Sequence, residues 1–189
     1  MVWGLVNTLK NNYKEQLKLW LIFAIAVMVG VLLPGVFSEE MTEFIGEITE
    51  ILRSCLGGAQ DFTYVSFAGS LLPYGIILAL LWLAGYNKIA VAPGLAVLLG
   101  FGVLLGISVN IVFTLGFAYG VLLLILNLLP ANFLIATALV LAVANIMQGS
   151  RSFSEYSYGF LLPLILVVVA CWYMTWAGPL LLNFFISLI

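Results

Sequence analysis

The stretch NIVFTLGFAYGVLLLILNLLPANFLIATALVLAVANIMQGS, residues 110–150, decides how this chain folds. It is apolar and carries no charge, and it is broken by Asn110, Asn127, Pro130, Asn132 and Asn145. Placed in lipid, it is about twice the roughly 20 residues that one helix needs to cross a hydrocarbon layer of about 30 Å, so it must turn somewhere inside. Proline has no amide hydrogen, its ring clashes with the preceding turn, and it pushes the residue before it out of the helical region. The turn is therefore expected at Leu128-Leu129-Pro130-Ala131-Asn132. This reading gives two helical pieces joined near the membrane interior, with Asn127, Pro130 and Asn132 as a broken or re-entrant element. An ordinary two-helix hairpin with Pro130 in its outer turn fits the same pattern.

The rest of the chain sets the context. Of its 189 residues 65% are hydrophobic and 7% charged, whereas soluble domains are about half apolar and about a quarter charged. The bilayer interior offers no water to the backbone, and apolar runs this long mean helices rather than the alternating strands of a barrel. The expected fold is an all-α polytopic transmembrane helix bundle, one integral membrane domain over residues 1–189. A net charge of -2 without basic clusters gives no footing for nucleic acid, and no Gly-Lys-Ser/Thr loop is present to hold phosphate. With no histidine, and with Cys55 and Cys171 far apart, no metal or other cofactor is expected. A disulfide between these cysteines requires both near one membrane face; the other reading is two small buried apolar residues. The first apolar run follows a charged lead and lacks a small-residue cleavage site, so it reads as a retained anchor.

In chain order, residues 1–16 place Val2, Leu5, Val6, Leu9 and Tyr13 on one helical face, with Lys10, Lys14 and Lys18 spaced by four along another. This pattern suits an interfacial helix among anionic headgroups, or equally a solvated start to the first span; either places the amino terminus in the cytoplasm. Residues 17–37 cross once, at about 31 Å of helix. Residues 38–56 then form an external amphipathic helix, with Glu39, Glu43, Glu47 and Glu50 opposed to Met41, Phe44, Ile45, Ile48, Ile51 and Leu52, and with Ser38 at its cap. A second span covers residues 64–86, kinked at Pro73, and a third begins near Ile89. Gly102 with Gly106 and Gly116 with Gly120 have the small-xxx-small spacing that lets helices approach closely, and Ala138 with Ala142 offers a third seam. Residues 149–158 read as a polar break and residues 160–176 as the last full span, with Trp172, Tyr173 and Trp176 in an aromatic belt. Beyond Pro179 an apolar tail suits the interface.

Charge sets the topology, because lysine and arginine in short loops prefer the cytoplasm. Five crossings put Lys10, Lys14, Lys18, Lys88 and Arg151 inside and the carboxyl terminus outside; six would move Arg151 out. The first arrangement is preferred.

Candidate chemistry is sparse. The acids cluster near interfaces, so no buried carboxylate pair suggests hydrolysis or proton relay, and the chain is not expected to be an enzyme. The external glutamates read as a docking surface or cation site for a partner, or as a solvated helix face. Asn110, Asn127, Asn132 and Asn145 read as the lining of a polar path, or as hydrogen bonds between helices worth roughly 0.6 to 2 kcal/mol each, with Asn110 and Asn145 assigned to helix packing.

The order of these features resembles the stage II sporulation protein M family over residues 15–182. The resemblance rests on the basic lead, a glycine-containing first span around Gly30, the external amphipathic segment, Leu81-Trp82-Leu83-Ala84-Gly85 and the Gly102 to Gly106 spacing. It continues through Leu128-Leu129-Pro130-Ala131-Asn132, the polar turn after Gln148, and Ala177-Gly178-Pro179. Pro130 with Asn132 resembles the sporulation branch; a wider branch carries Pro-His-Gly and a following glutamate, for which Ala131, Asn132 and Ile135 supply no histidine, glycine or acid. The resemblance implies a multi-pass cell-membrane scaffold without enzymatic activity. In the family, the sporulation member assembles with peptidoglycan-degrading partners, the stage II sporulation proteins D and P, during engulfment. The alternative expectation is a transporter or permease subunit whose substrate path lies at the broken helix near Pro130. Expected partners are the lipid bilayer, membrane or membrane-anchored proteins such as peptidoglycan hydrolases, and a second copy of the chain.

Overall fold

The computed structural model describes residues 13–36, 64–85, 91–114, 120–121, 123–148 and 152–186, and these residues are helical apart from Ser152. The helices are α1 (Tyr13–Val36), α2 (Tyr64–Gly85), α3 (Val91–Thr114), α4 (Leu129–Gln148), α5 (Phe153–Trp172) and α6 (Gly178–Ile186). A π-helical turn, Leu124–Leu128, leads into α4, and a second, Tyr173–Ala177, links α5 to α6. Among the described residues five helices are long and apolar enough to cross a membrane. The fold is thus an all-helical bundle, that of a multi-pass membrane protein.

Contacts between helices fix their directions. Phe23 and Ala26 face Gly102, Val27 faces Gly106, and Val31 faces Asn110, so α1 and α3 run parallel. Gly94 faces Val143 and Gly120 faces Val112, so α4 returns antiparallel to α3. Asn145 meets Tyr156, and Tyr173 meets Leu126, so α5 runs back along α4. Trp82 and Gly85 at the end of α2 meet Ser157 and Tyr156 at the start of α5. The starts of α1, α3 and α5 and the ends of α2 and α4 therefore share one face, called here the near face. The end of α4 and the start of α5 lie on it, and Arg151, between them, is outside the described residues.

Helix α4 is the axis. Of its membrane-length stretch 67% is buried, against 11% for α2. Its alanines make this possible: Ala131, Ala136, Ala138 and Ala142 are completely buried, and Ile135, Val143 and Ile146 fill the space between neighbours. The outer helices turn Leu21, Met28, Leu32, Leu72, Leu80, Leu83 and Leu104 outward, as expected where the solvent is lipid and only polar groups must be hidden.

Three expectations require correction in position. The chain does not reverse at Leu128–Asn132: α3 ends at Thr114, and Gly120 already packs on the Val112 carbonyl. The irregularity at Asn127, Pro130 and Asn132 is real, but it takes the form of a π turn inside one continuing helix. Likewise, the polar segment before Tyr158 is mostly the first turn and a half of α5, and the helix continues past Pro179 to Ile186. Ser152 starts α5 by accepting a hydrogen bond from the Glu155 amide at 3.3 Å, the Ser-x-x-Glu pattern of a capping box. Residues 1–12, the segment 38–56 expected as an external helix with Glu39, Glu43, Glu47 and Glu50, and Cys55, Lys88, Gly116 and Arg151 lie outside the described residues.

Candidate functional site

The described residues bring polar groups together at two places, one at each end of the α4–α5 pair. At the near face the ends of α2 and α4 meet the start of α5. Glycine makes the approach close: a methyl on Gly159 would overlap the Asn145 side-chain amide, and one on Gly85 would overlap the Tyr156 hydroxyl. Through that gap Asn145, 4% exposed, donates from Nδ2 to the Tyr156 carbonyl at 3.1 Å. Tyr156 in turn donates its hydroxyl to the Trp82 carbonyl at 2.8 Å. Trp82 Nε1 reaches Ser157 Oγ at 3.4 Å, and Ser157 donates to the Phe153 carbonyl at 2.9 Å. The bonds from Asn145 to Tyr156 and from Tyr156 to Trp82 thereby tie three helices, each contributing on the order of 1 kcal/mol. Asn145 Oδ1 and both polar atoms of the Gln148 side chain are buried there without a protein partner.

At the far face the two π turns lie side by side, and each is followed, one residue later, by a proline: Pro130 and Pro179. In the first, the Leu129 amide skips back five residues to the Leu124 carbonyl. The wider turn makes room for the proline ring, which would otherwise press on the carbonyl four residues back, that of Leu126. Pro130 also has no N–H to offer that carbonyl. Tyr173, the first residue of the second π turn, supplies the missing donor through its hydroxyl. Asn132 donates Nδ2 to the Leu128 carbonyl at 2.8 Å, within its own helix. Asn132 therefore braces the backbone around the irregularity and does not face Asn145, which lies at the opposite end of α4.

The expected packing residues are placed as follows. Gly102 and Gly106 face α1, where a methyl on Gly106 would strike the Val27 carbonyl and one on Gly102 would come 2.7 Å from Ala26 Cβ. Their counterpart is Gly30, whose methyl would strike the Val103 carbonyl. Asn110 closes this seam by donating to the Val31 carbonyl at 3.1 Å. Cys171 is a buried free thiol. The charged side chains among the described residues are Lys14, Glu15, Lys18 and Glu155, all near the near face. Lys18 pairs with Glu15 at 2.9 Å. Among the described residues no three His, Cys, Asp or Glu side chains gather as a metal site would require.

Sequence reading missed Tyr156, Trp82, Gln148, Gly159 and the bond from Tyr173 to Leu126. A signal existed for Gly159. Gly30, Gly69 and Gly159 each stand four residues before a proline, at Pro34, Pro73 and Pro163, where a residue without a side chain relieves the crowding the ring imposes. Nothing local marks Tyr173 as the partner of a carbonyl 47 residues away. No protein-family model, characterised protein or solved structure matches the chain.

Proposed function

We propose that this chain is a non-enzymatic scaffold of the cell membrane, with its amino terminus in the cytoplasm, that assembles a membrane protein complex. By the resemblance in its sequence, that complex contains peptidoglycan hydrolases and serves engulfment or cell-wall remodelling. The observation that carries this reading is the interior. Helix α4 is packed with alanine and branched aliphatic side chains, the α1–α3 seam brings backbone against backbone, and the charged groups among the described residues stay at one end. Such a body is suited to holding surfaces at fixed positions. Affinity purification from native membranes after photo-crosslinking is expected to return a peptidoglycan hydrolase or its membrane anchor. Recovery of neither, with the chain intact and inserted, would overturn the reading.

A transporter reading draws support from the paired π turns, since irregular backbone at membrane depth is common where substrates bind. Flux in liposomes for the parent chain and for Pro130→Ala and Asn132→Leu variants decides it. No flux in the parent, or equal flux in all three, removes this reading.

A further inference from the structure

The near-face junction of α2, α4 and α5 holds more hydrogen-bonding capacity than its protein partners use. Asn145 Oδ1, Gln148 Oε1 and Gln148 Nε2 are all buried without a protein partner. Asn145 is 4% exposed, and its Nδ2 is fixed by the Tyr156 carbonyl, so its oxygen is held in one direction and cannot swing out to find a donor. Residues 145 and 148 are three apart on α4, which puts their side chains on adjacent positions of one helical face, about 5–6 Å apart at Cβ. Buried polar groups in folded proteins are as a rule hydrogen-bonded to protein or to ordered water, and here three such atoms fall within one turn of α4.

The chemistry of the three atoms defines what can satisfy them. Two are acceptors and one is a donor, so the ligand must both give and take hydrogen bonds. An ammonium headgroup gives but does not take, and a phosphate oxygen takes but does not give. Among the described residues Glu155 is the nearby charge, and it lies exposed on α5. We propose that this junction is a hydration site, in which one or two ordered water molecules bridge Asn145 Oδ1 to the Gln148 amide. Buried water in proteins typically makes about three such bonds, the number offered here. Water held at this point joins the last turn of α4 to the bonded set formed by Tyr156, Trp82 and Ser157. The site is one helical turn from the end of α4, so its water exchanges with the near-face aqueous phase and not with lipid.

The test uses the full-length parent protein in detergent micelles, with side-chain amides labelled with nitrogen-15 on asparagine and glutamine. Cross-peaks between water and the amide protons of both Asn145 and Gln148, of the sign that marks a long-lived bound molecule, are expected. Cross-peaks from these amides to protein or detergent protons alone would overturn the proposal. A second measurement separates a water site from a dry defect. Replacing Gln148 by an apolar side chain of similar length, Gln148→Met, removes the bridge if water is bound and relieves an unpaired amide if it is not. A fall in melting temperature of about 2–4 °C is expected, and an unchanged or raised melting temperature would refute the bridge.

Discussion

The α1–α3 and α4–α5 contacts differ in emphasis: a glycine seam with one polar bond, from Asn110 to Val31, holds the first, and a polar bond at each end holds the second. In the first, Gly30, Gly102 and Gly106 remove side chains so that parallel backbones touch, and the surface gained is van der Waals contact. In the second, the antiparallel pair is closed at each end by a polar bond to a backbone carbonyl, Asn145 to Tyr156 at the near face and Tyr173 to Leu126 at the far face. Lipid tails are as apolar as leucine, so burying leucine drives little association here, and these two devices must supply it. The contrast is that close contact fails abruptly when space is filled, whereas polar ties fail one bond at a time.

The largest effect should come from filling the glycine seam. Gly106→Leu would drive a side chain into the Val27 carbonyl and toward the Val31 amide, 2.7 Å from the first added carbon. A loss of about 3 kcal/mol is expected, measured by reversible unfolding in mixed micelles. A loss below about 1 kcal/mol would mean that α1 can move away freely, and the contrast between the seams would collapse. Next is Asn145→Leu, which removes the near-face tie and should cost about 1–2 kcal/mol. A stabilising outcome would show that this bond does not hold the hairpin. Tyr173→Phe keeps the ring but leaves the Leu126 carbonyl without its donor, for an expected cost of about 1 kcal/mol. Amide exchange should quicken around the first π turn, and unchanged protection there would remove tyrosine from its support. The smallest change sharpens the comparison by control. Gly100 lies on α3 with open space where a side chain would begin, so Gly100→Ala should be neutral or stabilising by up to about 1 kcal/mol. A marked destabilisation would show that glycine on α3 acts through something other than close approach.

The membrane class and the spans were legible because they depend on composition and length, which lipid reads in the same way. The positions of α2 and α3 follow within a few residues, and Gly102 with Gly106 was found from its spacing. The reversal after α3 was not, because Pro130 carries the stronger local signal for a break while the Thr114 to Gly120 passage has neither proline nor charge. Proline was over-read because a helix can widen by one residue and borrow a hydroxyl from a neighbour, a remedy that depends on tertiary structure and leaves no mark nearby. The run of residues 149–158 reads as a polar break because four serines with Arg151 and Glu155 interrupt the apolar pattern, although Ser152 and Glu155 stand at capping distance. The sequence sets Asn132 in the broken element and Asn110 and Asn145 among the packing residues; Asn110 and Asn145 tie helices together, while Asn132 bonds within its own.

The parallel pairing of α1 with α3 bears on biogenesis. The bond from Asn110 to Val31 joins residues 79 positions apart, and α2 passes between them in sequence without standing between them in space. Helix α1, made before α3, thus has no match for its Gly30 face until α3 has followed. During that interval a chaperone or a neighbouring polypeptide with a small-residue face has its best opportunity to engage the nascent chain.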